Sequence, residues 1–168
     1  KQALAAIGQP LLLKHYKKRF KTHGITCAQM LFIADDFDSR KRSKNAQNVM
    51  EILLENKILP IINENDVIAT DELVFGDNDQ LAAHVAYYFK ADMLAILSDI
   101  DGYYNKNPRE FNDAILEKNV YEIAQEELQM KHSANSEFAT GGIVTKLKAA
   151  NFLMEKDIPM YLSSGFDL

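Results

Sequence analysis

Apolar residues recur along the chain with two different periods. Recurrence at helical spacing predicts α-helices over residues 4–20, 43–56, 81–90 and 143–155. Short runs that are apolar almost throughout lie between them and predict buried strands over residues 28–33, 59–62, 93–97 and 160–162. Helices that alternate with such strands favour βαβ units and a parallel sheet covered on both faces. The predicted fold class is therefore α/β, an αβα sandwich with a mainly parallel open sheet.

Length and composition limit the size, the partners and the compartment of the protein. A chain of 168 residues is long enough for one α/β domain, predicted to span residues 1–168. The net charge of −5 argues against a general nucleic-acid-binding surface. Cys27 is the one cysteine, which excludes an internal disulfide and fits a reducing, cytoplasmic location. No apolar run approaches the roughly 20 residues of a membrane span, so no membrane partner is expected.

Both ends of the sequence indicate a longer parent protein. Lys1 stands directly inside the first helical pattern, without an initiator methionine. Leu168 follows closely on the last predicted strand. The predicted sheet is therefore expected to be incomplete at both ends.

A dense group of acids and amides occupies residues 63–66 and 77–79. The first run, Asn63-Glu64-Asn65-Asp66, directly follows the apolar strand. The second run, Asp77-Asn78-Asp79, directly precedes the helix predicted from residue 81. Open α/β sheets bind ligands where their strands end. Because like charges at this density are unfavourable without a cation or an ammonium group among them, the group is predicted to be a ligand site in a loop region.

Ser98 and Asp99 stand at the end of the strand over residues 93–97, and Asp101 and Gly102 come soon after. Carboxylates at the carboxyl end of a strand can hold Mg²⁺ or orient a nucleotide. Asp is also a common turn former. The segment by itself leaves a nucleotide site and a polar turn equally open.

Thr140, Gly141 and Gly142 precede the last predicted helix, and Lys146 lies about one turn into it. Paired glycines let the backbone approach an anion, and the amides at a helix start point toward it. The spacing of a Walker phosphate loop is absent, because that motif needs four residues between its first glycine and Gly-Lys. A flexible loop before an N-capped helix explains this segment equally well.

The histidines and methionines show no catalytic or metal-binding pattern. No histidine stands at metal-ligand spacing from another or from Cys27, so no metal ligand is predicted. His84 is predicted to be a packed residue of its helix, and Met30, Met50 and Met154 are predicted core residues. The inner face of the helix over residues 43–56 is predicted to carry Val49, Ile52, Leu53 and Leu54.

Taken in order, these segments resemble the amino acid kinase family over almost the whole chain. The resemblance extends to the opening run from Gln2 to Gln9 and to Asn107-Pro108-Arg109. The pair Asn-Glu-Asn-Asp and Gly-Asp-Asn-Asp at this spacing is highly specific for the members of that family that phosphorylate glutamate on its side-chain carboxylate. The strand–Asp–Gly and Thr-Gly-Gly segments alone indicate only the wider family.

The resemblance implies ATP-dependent phosphorylation of the γ-carboxylate of L-glutamate, the first step of proline biosynthesis, with Mg²⁺ accompanying the nucleotide. It implies a glutamate site with Asp66 and Asn78, and with Asn63 and Asp77 in the same segments. Lys146 would act in catalysis together with Asp79, which is expected to order the active site. A homo-oligomer and feedback inhibition by proline are further expectations. The residues that the resemblance assigns to the nucleotide are Ser98, Asp99, Thr140, Gly141, Gly142, Ile143, Val144, Thr145 and Lys146.

Some family features are missing, and three alternatives stay open. The family's first strand with its nucleotide-contacting lysine, the serine-glycine loop after it and any appended RNA-binding-like domain have no counterpart in this sequence, and Ala139 replaces a usual glycine. The alternatives are an amino-acid-binding sensor without phosphoryl transfer, another carboxylate kinase of the family, and a phosphatase of haloacid dehalogenase type. The last is suggested by the run from Asp99 to Gly102, but its acidic pair belongs downstream and here lies upstream.

Overall fold

The computed structural model describes residues 1–69, 78–106, 108, 111–129 and 141–166. Contacts between Cα atoms divide the chain into two compact units, the first unit (residues 1–81) and the second unit (residues 82–168). None of the described helices combines the length and the apolar character needed to cross a membrane.

The first unit contains a parallel pair of strands with helices before and between them. β1 and β2 run parallel, with Thr26 opposite Ile58 and Phe32 opposite Glu64. Parallel neighbours need a crossover connection, which α2 and α3 supply. α1 packs on β1, and α3 packs on β2. The bounds are α1 (Gln2–Lys21), β1 (Thr26–Phe32), α2 (Ala34–Asp38), α3 (Arg40–Glu55) and β2 (Ile58–Glu64), and α4 (Asn78–Tyr88) begins in this unit.

Side-chain oxygen atoms fix the starts of α2 and α3. The carboxylate of Asp36 accepts a hydrogen bond from the main-chain N–H of Ile33 at 2.9 Å. The hydroxyl of Ser39 accepts one from the N–H of Arg42 at 3.4 Å. Both contacts satisfy N–H groups that a helix start leaves without an internal partner. They determine where the chain leaves β1 and where the crossover helix begins.

The buried face of α3 differs from the predicted one. Val49, Ile52 and Leu54 are exposed by 47%, 59% and 57%, although the sequence placed them on the inner face. Buried and half-buried side chains instead follow helical spacing through Ser43, Ala46, Gln47, Met50 and Leu53. The prediction is confirmed for Leu53 and wrong for the other three, because it ranked positions by hydrophobicity, whereas the inward face passes through small and polar residues.

The second unit contains a parallel strand pair and a short antiparallel one. β3 and β6 run parallel, with Leu94 opposite Met160. β4 and β5 are antiparallel, with Tyr103 opposite Glu117. The bounds are β3 (Leu94–Ser98), β4 (Tyr103–Tyr104), β5 (Leu116–Glu117), α5 (Gln125–Leu128), α6 (Gly141–Met154) and β6 (Met160–Ser164). The four predicted helices and the four predicted strands all lie among these elements.

Small residues bring two helices of the second unit together. Ala83 and Ala86 of α4 share one buried cluster with Ala149 and Leu153 of α6. Partly buried side chains of β3 and β6 pack against the same cluster. Alanine leaves room for close approach of helix backbones, and Leu153 fills the space at 0% exposure. The cluster therefore holds α6, the helix that carries Lys146, against the β3–β6 pair.

Candidate functional site

A cavity of about 100 Å³ lies beside the end of β2 in the first unit. Four carboxamide side chains line it, those of Gln9, Gln29, Asn63 and Asn78. Carboxamides supply both donors and acceptors and carry no charge. The cavity can therefore hydrogen-bond the polar groups of a small ligand and pack against its aliphatic part. The other lining residues are Leu12, Leu13, Tyr16, Ile61 and Ile62.

Two of these carboxamides form a hydrogen-bonded chain that starts at the backbone. Nε2 of Gln9 donates to the main-chain oxygen of Glu64 at 3.3 Å. Nε2 of Gln29 donates to Oε1 of Gln9 at 3.0 Å. Because a carbonyl oxygen can only accept, the first bond fixes which end of Gln9 points where, and Gln9 then fixes Gln29. The orientation of both side chains follows from a single main-chain atom, and we call this arrangement the amide chain.

The structure brings Asn63 and Asn78 together at the cavity, as expected for two runs that contribute to one site. β2 continues through Glu64, so Asn63 and Glu64 belong to the strand, and the prediction of a loop was wrong for them. α4 begins at Asn78, earlier than the predicted start at Leu81. The strand extends further because the parallel register with β1 continues to Phe32 opposite Glu64.

Two predicted acids lie near these residues in sequence but differ in exposure. Asp66 is exposed in the turn after β2, where the main-chain oxygen of Asn65 accepts hydrogen bonds from the N–H groups of Ile68 and Ala69. Asp79 is buried at 9% exposure in the first turn of α4. A carboxylate is favourable at that end of a helix. Neither acid lines the cavity, and Asp77 lies outside the described residues.

A second cavity, of about 570 Å³, lies in the second unit. Lys146 of α6 lines it, together with Tyr103 of β4 and Leu116 of β5. Its size and its largely apolar lining are typical of sites for small organic ligands. Further apolar lining residues are Val120, Ile123, Ile143, Leu147, Ala150, Met154, Ile158, Pro159, Met160 and Leu162.

The predicted glycine segment is part of α6. The helix begins at Gly141, so Lys146 lies in its second turn, deeper than predicted. Ile143 lines the cavity, and Val144 is buried in the helix next to it. Thr145 is half-buried on the same helix, and Thr140 lies outside the described residues. The main-chain N–H groups of Gly141 and Gly142 therefore belong to the first turn of α6, and Lys146 lies in the next turn.

Ser98 and Asp99 stand where β3 ends, as predicted. The hydroxyl of Ser98 donates to Oδ1 of Asp99 at 3.0 Å, and the Asp99 side chain is exposed. The main-chain oxygen of Ser98 accepts a hydrogen bond from the N–H of Gly165 at 2.7 Å. Asp101, in the same segment, lines the second cavity, whereas Ser98 and Asp99 do not. The segment is a polar turn beside the cavity, and its role in nucleotide binding stays a prediction.

The sequence profile of the amino acid kinase family matches residues 1–164. The chain belongs to the amino acid kinase family. The glutamate 5-kinase of Leishmania donovani is 57% identical over 168 residues, which are 100% of this chain and 64% of that protein. The glutamate 5-kinase of Wolinella succinogenes is 59% identical over 172 residues, covering 100% of this chain and 66% of that protein. The chain thus spans 64% and 66% of the lengths of these two relatives.

A solved structure supports the fold of this amino acid kinase chain. Isopentenyl phosphate kinase matches with a TM-score of 0.61 at 19% identity, covering 92% of this chain and 57% of that one. At this identity the likeness concerns the fold. The predicted α/β class of the amino acid kinases is confirmed.

Several cavity residues of this amino acid kinase chain were not predicted from the sequence. Gln9 ends the opening run that carries the family resemblance, but the resemblance gave it no role. Gln29 is a polar residue inside the otherwise apolar run from Cys27 to Phe32, and that contrast was a usable signal. Tyr103 donates a hydrogen bond to Oε1 of Glu127, which is 24 residues away and not recognisable beforehand. Burial raises the pKa of Tyr103 to about 12, and the hydrogen bond to Glu127 adds to the effect. The hydrogen bond from Tyr104 to Asp101 raises the pKa of Tyr104.

The remaining predictions concern packed residues and metal ligands. His84 stacks on Phe152 with ring centroids 4.6 Å apart, so its prediction as a packed residue is confirmed. Met30 and Met50 are buried, and Met154 is half-buried at the second cavity. Within the part of the chain that the structure describes, no three His, Cys, Asp or Glu side chains come close enough together to hold a metal ion.

Proposed function

We propose that this chain is a large part of an enzyme that transfers the γ-phosphoryl group of ATP to the side-chain carboxylate of L-glutamate. The product is L-glutamyl 5-phosphate, and the reaction is the first step of proline biosynthesis. The observation that carries the proposal is the carboxamide cavity of the first unit, lined by Asn63 and Asn78 of the two glutamate-specific runs. The similarity to proteins named glutamate 5-kinase supports it.

The cavity of the first unit is proposed to select the amino acid. Glutamate presents an ammonium group and two carboxylates, and the carboxamides offer acceptors for the former and donors for the latter. Asp66 is proposed to add a charged acceptor for the ammonium group, with Asn78 and Asn63 as neutral partners and Asp77 in the same run. Asp79 is proposed to order this part of the site from the first turn of α4. A cavity of about 100 Å³ favours a small ligand of this kind.

The chemistry needs positioning rather than a base. The γ-carboxylate of glutamate has a pKa near 4.3, so it is ionised at neutral pH and attacks without losing a proton. Phosphoryl transfer depends mainly on alignment and on neutralisation of the phosphoryl oxygens. A site with no catalytic His or Cys is therefore suited to this reaction.

The second cavity is proposed to hold ATP. Its apolar lining can enclose the base, while Lys146 supplies an ammonium group for the phosphates. The start of α6 at Gly141 and Gly142 adds helical amides and the positive end of a helix dipole. The side chains of Ile143, Val144 and Thr145 follow, and Thr140 precedes them in the proposed phosphate-binding segment. Lys146 is the proposed catalytic residue, because it can neutralise charge that develops on the transferred group.

The residues at the end of β3 fit a nucleotide-bound Mg²⁺. Asp99 is an exposed carboxylate that already accepts from the hydroxyl of Ser98, and Mg²⁺ is commonly held by one or two carboxylates together with substrate phosphates. When bound, the ion would neutralise phosphate charge. Ser98 and Asp99 are proposed to hold the nucleotide through this arrangement.

A hydroxylamine trapping assay tests the proposed function. The protein that contains this chain is incubated with ATP, Mg²⁺, hydroxylamine and either glutamate or aspartate. Glutamyl hydroxamate should accumulate only with glutamate and ATP both present. Aspartate in place of glutamate is the matched control, since it differs by one methylene group. Glutamate binding without any glutamate-dependent hydroxamate would favour a sensor, and a preference for aspartate would favour another carboxylate kinase.

Three further expectations of the resemblance belong to the same proposal. The enzyme is proposed to be a homo-oligomer of the cytoplasm that is inhibited by proline. Light scattering of the purified protein measures the oligomeric state, and proline titration in the hydroxamate assay measures inhibition. A monomer, or full activity at saturating proline, would contradict the corresponding expectation.

A further inference from the structure

A single carboxylate connects the wall of the second cavity to a neighbouring helix. Tyr103 lines the cavity, and its hydroxyl donates to Oε1 of Glu127 on α5. The other carboxylate oxygen, Oε2, accepts a hydrogen bond from the main-chain N–H of Ala124 at 3.2 Å. Both oxygens of Glu127 are thus engaged, which restricts the side chain and with it the tyrosine ring.

The wall that Tyr103 belongs to is a short strand pair, which two hydrogen bonds between Asn105 and Ile115 extend by one position. β4 and β5 are two-residue strands that pair with each other. A two-stranded antiparallel pair is at best marginally stable without further contacts. Gly102 also leaves little room there, because a Cβ at that position would lie 2.6 Å from Cδ1 of Leu116. The position of the Tyr103 ring therefore depends on contacts outside the β4–β5 pair.

Glu127 supplies such a contact, and its helix α5 packs against the helix that carries Lys146. α5 packs against α6, and α6 carries Lys146 into the same cavity. The hydrogen bond thus connects the β4 wall, through α5, to the helix that bears the proposed phosphate-binding lysine. A hydrogen bond from a neutral donor to a partly buried carboxylate is stronger than one between neutral groups. A tyrosine hydroxyl is protonated at neutral pH and therefore donates, and the raised pKa of Tyr103 extends this donor form to higher pH.

We propose that Glu127 is a positioning residue for the nucleotide: it holds the ring of Tyr103 as a fixed wall of the ATP cavity, at a set distance from Lys146. This inference rests on the proposed function, since it assigns ATP to that cavity. Glu127 acts through Tyr103 and need not touch the nucleotide. Its loss should therefore weaken the binding of ATP. Glutamate binding, and turnover at saturating ATP, should stay nearly unchanged.

Four single variants of the full-length protein, and the double variant that combines Tyr103→Phe with Glu127→Leu, test the role of Glu127. Tyr103→Phe keeps the ring and removes the donor, whereas Glu127→Leu removes the acceptor. Glu127→Gln keeps one acceptor oxygen and serves as the conservative rescue. Glu126→Leu is the matched control, because Glu126 is the exposed neighbour on the same helix. ATP binding by titration calorimetry, the two KM values, kcat and thermal unfolding are measured for each.

Tyr103→Phe and Glu127→Leu should each raise the Kd and KM for ATP by roughly tenfold, the effect of losing one hydrogen bond to a charged group. The double variant should show about the same tenfold change rather than a hundredfold one, because both substitutions remove one interaction. Glu127→Gln should recover most of the ATP affinity, and Glu126→Leu should resemble the unaltered protein. KM for glutamate should change by less than about twofold throughout.

Three results with the variants would overturn the inference. These are unchanged ATP affinity in both single variants, independent and multiplying effects in the double variant, or equal losses for ATP and glutamate at matched thermal stability. Calorimetry separates the inference from the proposed function, because it measures ATP binding without turnover. If the unaltered protein binds ATP but does not phosphorylate glutamate, the proposed function fails while the variants still decide the role of Glu127. If it binds no ATP, both fail.

Discussion

Gln29 donates a hydrogen bond from Nε2 to Oε1 of Gln9 at 3.0 Å, and this bond joins β1 to α1 at the smaller cavity. Gln9 in turn is held by the main-chain oxygen of Glu64. The amide chain leaves Oε1 of Gln29 oriented away from Gln9. An acceptor in this position suits the ammonium group of an amino acid.

Gln9→Leu should therefore weaken the binding of glutamate and leave the binding of ATP unchanged. We expect KM for glutamate to rise by about tenfold, which corresponds to roughly 1.4 kcal/mol for the lost orientation of Gln29. Gln2→Leu is the matched control, because Gln2 lies on the same helix and donates to a main-chain oxygen, that of Ala69, outside the cavity. Steady-state hydroxamate kinetics measure both. Equal effects of the two substitutions would remove Gln9 from the site.

Asp66→Ala should weaken the binding of glutamate far more than the binding of ATP. The lost interaction between a carboxylate and an ammonium group should raise KM for glutamate by about 10- to 100-fold, with KM for ATP within about twofold. Asp38→Ala is the control, since Asp38 is also an exposed acid of the first unit and lies at the end of α2. Parallel losses for both substrates would move Asp66 out of the proposed amino acid site.

Lys146→Ala should reduce turnover and leave glutamate binding almost unchanged. Removing the positive group that is proposed to neutralise the transferred phosphoryl oxygens should lower kcat by about 10²- to 10³-fold. Lys148→Ala provides the comparison, because Lys148 is exposed and two residues further along α6. Single-turnover rates and calorimetry with glutamate separate the two quantities. If kcat stays within a few-fold, Lys146 is not the catalytic lysine.

Two glycines of the first unit should respond in opposite directions to the same substitution. A Cβ would meet nothing within 4 Å at either Gly8 or Gly24, but Gly24 has φ of +69°. Gly8→Ala within α1 should raise the free energy of unfolding by about 0.5–1 kcal/mol. Gly24→Ala should lower it by about 1 kcal/mol because alanine is strained at positive φ. Urea unfolding of both variants checks the signs, and a gain at Gly24 would contradict the assigned backbone conformation.

The raised pKa of Tyr103 predicts a loss of stability at high pH. The folded protein holds this phenol neutral up to about pH 12, whereas the unfolded chain releases the proton near pH 10.0. The contribution of Tyr103 to stability is therefore complete below pH 10 and is lost as the pH rises through about 12. Urea unfolding at several alkaline pH values should show a steeper decline for the unaltered protein than for Tyr103→Phe. Parallel curves would show that Tyr103 titrates normally.

The sequence predicts the elements well because they depend on local periodicity, and it predicts burial less well. The face of α3 was misjudged because Ala46 and Gln47 face inward while Val49 and Ile52 are exposed. The sequence could predict that Asn63 and Asn78 line one cavity, since strand ends and helix starts converge at ligand sites in α/β folds. The contact between Tyr103 and Glu127 could not, because it depends on how a short strand pair packs beside α5.

The amide chain determines how ligand binding at the smaller cavity responds to pH. Gln9 and Gln29 gain or lose no proton at any physiological pH, and the atom that orients them is a main-chain carbonyl. A selector built on a histidine would change its hydrogen-bonding pattern between pH 5 and 8. The preference of this cavity for its ligand should thus stay constant when a cell acidifies, and any pH dependence of glutamate affinity should come from the ligand and the neighbouring carboxylates.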